Sequence, residues 1–571
     1  IHPRYRMVDS CAAEFAAKTP YYYSTYEPYQ EVGIDHIPHM EQRTKQRMVT
    51  IGSGPIRIGQ GIEFDYGCVH AVMAIRAAGM DAILINNNPE TVSTDFDTSD
   101  RLYFDPLTNE CVSEILLREK AHGILLQFGG QTAINLAIPL EKRLPHLSSK
   151  GADVSILGTT VDGIDEASDR ERFEAFAKKH GLRMPNGATG TSSEDIRKAV
   201  DQIGFPVLIR PSYVLGGRGM EILSNESQLE AYLKEAYLAP DKPLLVDEYL
   251  GHATELDVDA AADGKEVLVG AIMEHLEEAG IHSGDSTCFI PTQNISEEML
   301  KRVDEQTRII GLGLKIKGCF NIQFAIQGDD LYVLEVNPRS SRTVPFVAKS
   351  SGLPLAKIAA NVTIGISLSE QTIPKRTSGQ ICVKAPVFPF IKLRGLDPAP
   401  GPEMKSTGEV YGSDISADVA YLKARLATEV PVAADGGVYL TVRDEDKHEL
   451  APIAKELYDL GFTLYATPGT ADILRDHDIL VTTVYRITDR KHPDALDLMR
   501  QGDISFIVNV PTISGGAVRD GNMMRRLAVE LNIPFVTTIR GARMEAAAIR
   551  ALIEKEIIPR KLEVHYDSKF L

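Results

Sequence analysis

The chain has 571 residues, 43% hydrophobic and 25% charged, with a formal net charge of -18. That length exceeds what one hydrophobic core organises and, at roughly 100 to 200 residues per domain, predicts about three or four domains. The surplus negative charge argues against a nucleic-acid partner, and no run approaches the ~18 apolar residues of a membrane span, so neither nucleic acid nor membrane is expected as a partner.

The amino terminus IHPRYRMVDS lacks the apolar core of a signal peptide and begins with Ile, which reads as a fragment or a processed product. Six cysteines (Cys11, Cys68, Cys111, Cys288, Cys319, Cys382) show neither metal-ligand spacing nor a dense disulfide framework, so reduced thiols in a cytoplasmic protein are expected. Residues 1–40, with one short helical stretch at 12–15 and the run Tyr21-Tyr22-Tyr23, read as the tail of a domain whose core partner is missing. From Arg47 the pattern alternates: MVTIGSG is a strand entering a glycine turn, HAVMAIRAAGM a helix closed by Gly79, DAILINNNP and HGILLQFGGQ two further strands. This predicts an α/β domain with a parallel sheet and ligand loops at the carboxyl ends of its strands. Beyond Asp165 comes a helix (ASDRERFEAFAKKHGL), then strands mixed with helices to about residue 345, an α+β pattern. Residues 376–423, rich in Pro and Gly, read as a connector, and from Gly437 strand and helix alternate again in a separate α/β domain at about 424–571.

The sharpest chemical signal is Phe320-Asn321-Ile322-Gln323-Phe324 followed by Leu331 to Asn337, two strands joined by the hairpin loop Gly328-Asp329-Asp330. A three-residue loop sets Gln323 opposite Glu335 and Asn321 opposite Asn337, so that Gln323, Glu335 and Asn337 project from one face. Three oxygen donors with one formal charge suit Mg²⁺ ions also held by nucleotide phosphates; the same pattern also fits the polar outer face of a hairpin. Arg339 and Arg342 follow in PRSSR, where guanidinium forks could clamp an anionic acceptor and a moving phosphoryl group or could lie on a solvated surface. The strand LIRPSYVLGGR ends in Arg210 and leads into Gly216-Gly217, a loop able to bring backbone amides to phosphate oxygens, or a plain tight turn. The segment GSGPIRIGQG at 52–61 lacks dinucleotide spacing, so no nicotinamide site is expected.

Taken together, GSGPIRIGQGIEFDY, NNNPETVSTDFDTSDRLYF, QFGGQT, RPSYVLGGR, MEHLEEAGIHSGDS, EVNPRSSRTVPF and GPEMKSTGEV resemble the large subunit of carbamoyl-phosphate synthetase, and the likeness runs the length of the chain. In that family the large subunit is a duplication, and this sequence is similar to the second half, which phosphorylates carbamate in pyrimidine and arginine biosynthesis. The resemblance implies the tail of a helical oligomerisation domain (1–40), a pre-ATP-grasp α/β domain (41–165), an ATP-grasp α+β module (166–375), a connector (376–423) and a regulatory α/β domain similar to methylglyoxal synthase (424–571). It implies ATP bound by Arg170, Arg210, Gly216, Gly217, Glu248, Leu250, Glu255 and the run Gly280, Ile281, His282, Ser283, together with Gln323 and Glu335. Two Mg²⁺ or Mn²⁺ ions would sit on Gln323, Glu335 and Asn337, and the phosphoryl transfer would rest on Arg210, Glu335, Arg339 and Arg342. A K⁺ site would use Glu255, His275, Glu277 and Ser286; His275 could equally be a hydrogen-bonded structural histidine. The implied partners are the bicarbonate-phosphorylating N-terminal half, a glutaminase small subunit and a nucleotide effector.

In the regulatory domain Thr441, Lys447, Thr467 and Thr470 match residues that hold an effector phosphate, whereas Arg486 and Asn509-Val510-Pro511 depart from the pattern of members regulated by uridine and inosine monophosphates. The ornithine pattern keeps Glu277 and Asp285 but has Ala385 in place of a Glu and Phe535 in place of a Tyr. The rival readings are another ATP-grasp carboxylate-amine ligase and a catalytically silent half that only binds effectors and partners.

Overall fold

The computed structural model describes residues 2–8, 21–26, 45–211, 217, 219–235, 243–374, 379–393, 395–511 and 516–559; the helical stretch expected at 12–15, Cys11 and Gly216 lie outside these. Four sheets organise the chain, and the first and last have the mixed or parallel character that the alternating pattern predicts for their domains. In the first, Arg101–Tyr103, Asp81–Ile85, Arg47–Ile51, Gly123–Leu125 and Ser155–Leu157 pair in parallel in that spatial order. Val49, Ile51, Ile83, Leu84 and Ile85 are fully buried, as expected of a parallel sheet covered on both faces.

The same sheet continues into the first residues of the chain. Arg4–Met7 pairs antiparallel with Tyr21–Thr25, which runs parallel to Arg101–Tyr103. Tyr5 and Tyr22 are buried, and both rings lie 5.4 Å from that of Tyr103, one edge-on and the other stacked. The expectation that this segment lacks a core partner is therefore corrected: its aromatic residues suit a pleated, half-buried surface and find one on a strand some eighty positions away.

The ATP-grasp region contains two antiparallel sheets. The smaller has the order Glu221–Leu223, Val207–Pro211, Leu244–Glu248, Gly187–Gly190; the larger has Asp330–Asn337, Lys317–Gln327, Thr254–Asp263, Val267–Glu278, Cys288–Ile290, Ile381–Val387, Gly408–Asp414. Two further expectations change here. The helix read at ASDRERFEAFAKKHGL is two helices, Val161–Ser168 and Arg170–Lys179, broken at Asp169, whose carboxylate accepts from the Arg172 amide and so caps the second. And the stretch 376–423 supplies more than a connection: Ile381–Val387 and Gly408–Asp414 extend the larger sheet, backed by the helix Ala417–Ala427. Gly412 allows that helix its close approach, because a Cβ there would lie 2.4 Å from Ala420 O and Ala424 N. Replacing Gly412 by Ala should therefore destabilise the chain by about 1–3 kcal/mol through overpacking, read by denaturant unfolding; an unchanged midpoint would contradict this packing.

One core cluster joins the first sheet's helix Glu63–Ala77, through Cys68, Val72 and Ile75, to Ile358 and Val362 of the helix Leu355–Thr363 and to Ala261 and Met273 of the larger sheet. The amino end of the Glu63–Ala77 helix is thereby fixed beside the cleft described below. The last sheet is wholly parallel, in the order Thr482–Thr483, Thr463–Ala466, Gly437–Thr441, Phe506–Asn509, Phe535–Val536. Its domain is held to the ATP-grasp region by Ala548 and Ala551, packed with Ala420 and Ala424, and by charged contacts from Arg540 to Glu274 at 2.6 Å and from Arg443 to Glu278 at 2.7 Å. Among the described residues no helix is long and apolar enough to cross a membrane, and Cys68, Cys111, Cys288, Cys319 and Cys382 are free thiols.

Candidate active site

The hairpin Lys317–Gln327/Asp330–Asn337 carries the oxygen donors, but by a different route from the one expected. Gln327 pairs with Asp330, so the loop is Gly328-Asp329 alone, with Gly328 at φ 59 as a tight two-residue hairpin demands. A bulge then leaves Leu334 unpaired between the Phe324–Val333 and Gln323–Glu335 pairs. This extra residue moves the pattern onto the other face. Leu331 and Val333 face the main core, Tyr332 and Leu334 pack beside Leu250, Ala253 and Ala279, and after the bulge Val336 returns to the core while Glu335 and Asn337 face the cleft. With no bulge, Glu335 and Asn337 would share the face of Leu331 and Val333.

The cleft encloses about 560 Å³ between the two antiparallel sheets and the glycine turns of the first domain. Gln323, Glu335, Asn337, Arg339, Arg342, Arg170, Arg210, Glu248, Leu250, Glu255 and Gly280 to Ser283 all line it, as does Gly217. Gly217 has φ +68, and a Cβ there would lie 2.1 Å from Pro402 O, so only glycine fits. Gln323 Nε2 donates to Ser283 Oγ at 2.8 Å, which leaves the amide oxygen as its remaining donor to a cation. Glu335 is partly exposed in the cleft, with Arg210 Nη1 3.9 Å away. A carboxylate and two amide oxygens form a hard donor set that fits Mg²⁺ or Mn²⁺.

The arginines reach the cleft from a helix, a strand and the loop after Asn337, and are held by residues that the sequence did not single out. Asp247 takes Arg170 Nη1 at 2.9 Å on one oxygen and Arg210 Nε at 3.2 Å on the other, which orients two guanidinium groups with one buried carboxylate. Arg339 donates to Gln131 Oε1 at 3.0 Å and lies over the Phe64 ring, and its burial lowers its pKa against the pull of Glu335 and Asp259. Arg342 donates to Glu63 Oε1 at 3.3 Å and lies 3.9 Å from Glu409; burial opposes its charge, but these carboxylates outweigh it and raise its pKa. Lys384, also buried, donates to Ser283 O at 3.1 Å and to Glu409 at 3.5 Å.

Beneath the cleft lies a buried polar cluster on adjacent strands. Asp257 and Asp259, two residues apart in ELDVDAAAD, point to one face and both accept from Asn321, at 3.2 and 3.0 Å. Asp259 also accepts from Ser341 at 2.7 Å and Thr343 at 2.6 Å, yet burial pushes it up to about 6. His275 Nε2 lies 3.2 Å from Asp257 and its Nδ1 3.8 Å from Glu255, so the ring engages carboxylates on both sides, as the structural reading of this residue expects. Burial pushes Glu255 up to about 7 against the pull of His275, and it raises Glu277 despite the Thr287 amide that donates to it at 2.6 Å. Ser286 Oγ donates to His282 O at 3.4 Å.

The residues matched to effector binding sit apart from the cleft, at the carboxyl ends of strands in the last, wholly parallel sheet. Thr441 is in register with Asn509, Thr467 precedes the helix Pro468–Asp476 and donates to Thr470 at 3.3 Å, and Lys447 Nζ lies 2.9 Å from the Cβ position of Gly469 in that helix's first turn. Lys447 is paired with Asp444 at 2.5 Å. Hydroxyls, an ammonium and a helix amino terminus thus lie close together, a set of groups chemically able to take an anion.

Known proteins bear on this geometry. The carbamoyl phosphate synthase preATP-grasp domain family matches residues 44–166, the carbamoyl-phosphate synthase L chain ATP binding domain family residues 169–371, and the MGS-like domain family residues 449–537. The carbamoyl phosphate synthase large chain of Methanosarcina acetivorans is 49% identical over 558 residues, covering 97% of this chain and 51% of that protein. The carbamoyl phosphate synthase large chain, C-terminal section, of Methanocaldococcus jannaschii is 47% identical over 574 residues, covering 98% of this chain and 91% of that protein. The chain thus spans about half the length of the full large chains and most of the C-terminal section. Among solved structures, a carboxyaminoimidazole ribonucleotide synthase from Aspergillus clavatus complexed with ATP superposes with a TM-score of 0.51 at 15% identity, covering 67% of this chain and 98% of that one, a likeness of fold.

Proposed function

Because the chain belongs to the carbamoyl phosphate synthase large chain family, we propose that it phosphorylates carbamate with ATP, the second phosphorylation of carbamoyl phosphate synthesis for pyrimidine and arginine formation. The observation that carries this reading is the meeting of Gln323, Glu335 and Asn337 with Arg170, Arg210, Arg339 and Arg342 in one cleft, an arrangement suited to polyphosphate and to an anionic acceptor. Gln323, Glu335 and Asn337 would hold the divalent ions, whose chemistry is to neutralise charge on the transferring phosphoryl group. The arginines orient the phosphates and the carbamate, and no general base is required because the acceptor is already an anion. Within this reading Glu255, Glu277 and Ser286 offer K⁺ its oxygens, with His275 as their hydrogen-bonding neighbour, and the Thr441, Lys447, Thr467 and Thr470 cradle takes the phosphate of a nucleotide effector. The partners are the N-terminal half of the large chain, which supplies carbamate, and a glutaminase subunit, in the cytoplasm. The populated arginine and oxygen-donor set favours this over a silent effector-binding half.

The test uses the purified 571-residue chain without partners. ATP formation from ADP and carbamoyl phosphate is expected, with no carbamoyl phosphate made from bicarbonate, because one ATP-grasp module is present. Bicarbonate-dependent synthesis by this chain alone would sink the assignment, and absence of the ADP reaction would favour the silent half.

A further inference from the structure

The segment between the last two strands of the larger sheet lies against the cleft as a strap, and it meets the site at His282, Asp285, Gly217 and Arg342. Gly401 O accepts from the His282 amide at 2.9 Å, and Pro402 O occupies the space beside Gly217 that a side chain would need. Met404 Sδ lies 2.8 Å from Arg342 Nη1. The Lys405 and Ser406 amides donate to the two oxygens of Asp285 at 2.7 and 3.0 Å, two residues after Ser283, which receives Gln323.

The near end of the strap is tied to the regulatory domain by an ion pair. Arg525, 2% exposed on the helix Gly516–Leu531, donates through Nε and Nη2 to the two oxygens of Asp397 at 2.9 and 2.6 Å. Its remaining Nη1 donates to Asn509, the residue in register with Thr441 of the anion cradle. Lys405 Nζ then closes the strap on itself by donating to Asp397 O at 3.1 Å and Ala399 O at 2.5 Å. A planar fork bonded on three sides has little freedom to turn, so a shift of Asn509 moves Asp397, and the strap with it.

We propose that Arg525 and Asp397 are positioning residues for the nucleotide cleft: their ion pair seats the 397–406 strap, which in turn holds His282, Asp285 and Gly217 in place. The inference rests on reading the cleft as the nucleotide site, and it makes this pair the route by which an occupant of the Thr441, Lys447, Thr467 and Thr470 cradle reaches that site.

The experiment compares the full chain with its Asp397→Asn, Arg525→Gln and Arg525→Lys variants by amide hydrogen exchange and by calorimetric titration with MgADP. For Asp397→Asn and Arg525→Gln, exchange at the His282, Lys405 and Ser406 amides should rise at least tenfold and the dissociation constant for MgADP about tenfold, while the Phe506–Asn509 strand keeps its protection. Arg525→Lys, which keeps the charge but not the fork, should recover part of both. Unchanged exchange at those three amides, or a rise spread equally through the regulatory sheet, would overturn the proposal. Neither reading depends on turnover: if the unmodified chain bound MgADP but did not consume carbamoyl phosphate, the assigned reaction would fall and the strap would still be decided by these measurements.

Discussion

Glu335→Ala should lower the rate of ATP formation from ADP and carbamoyl phosphate by about a thousandfold while leaving the fold intact. Glu335 is the only carboxylate among Gln323, Glu335 and Asn337, so its loss removes the formal charge that would hold divalent ions against the phosphates. Such ions contribute several kcal/mol to charge stabilisation, and about 4 kcal/mol corresponds to three orders of magnitude in rate. The fold should survive because the Glu335 side chain is 43% exposed and its ion-pair partner among the described residues, Arg210, is 3.9 Å away and already paired with Asp247. Asn337→Ala, which deletes a neutral donor, should cost less. Near-normal turnover of the Glu335 variant at saturating Mg²⁺ would remove the metal assignment.

Ornithine should fail to activate the chain at submillimolar concentration. The position where the responsive pattern has Glu is Ala385, 2% exposed and packed with Phe289, Val419 and Tyr421, and the Tyr position is Phe535. One charge-assisted contact at roughly 1.5–3 kcal/mol and one neutral contact at about 1 kcal/mol are thus absent, equivalent to about a hundredfold or more in affinity. The carboxylates that remain are occupied: Asp285 accepts from the Lys405 and Ser406 amides, and Glu277 from that of Thr287. Glu545, the buried acid beside Tyr421, offers no replacement, since Arg425 donates to both its oxygens at 3.0 and 3.3 Å and Tyr421 donates at 2.8 Å. The measurement is ATP formation with increasing ornithine, beside the Ala385→Glu, Phe535→Tyr double variant. Strong activation of the unmodified chain would refute the prediction, and activation gained only by the double variant would support it.

The hairpin donors were legible because strand alternation survives translation into sequence: a pattern of period two, two strands and a short turn suffice to bring Gln323 opposite Glu335. The expected pair was right although the loop was not. A three-residue loop without a bulge and a two-residue loop with one give the same partners at Gln323 and Asn321, and the faces of Leu331 to Leu334 distinguish them. The supporting charges were not legible. Asp247 faces arginines from two other elements, and Glu63 meets Arg342 across 279 positions, so no local period links either to its partner. ELDVDAAAD did hold a signal for the buried cluster, two acids two residues apart inside an apolar strand, which marks a carboxylate pair that must find donors in the core. The strands Arg4–Met7, Tyr21–Thr25, Ile381–Val387 and Gly408–Asp414 escaped notice because their sheet neighbours are either remote or separated from them by a long intervening segment.

The two late strands of the larger sheet have a practical consequence for dissecting the chain. The ATP-binding family match ends at residue 371, ahead of both Ile381–Val387 and Gly408–Asp414. An ATP-binding domain excised at that boundary would expose the Cys288–Ile290 strand as a raw edge with unpaired amides and carbonyls and an apolar sequence, a template for pairing with another copy. Such a piece should self-associate and precipitate, whereas one carried through Ala427 keeps the edge covered by its own hairpin and helix, and retains the strap between the two strands.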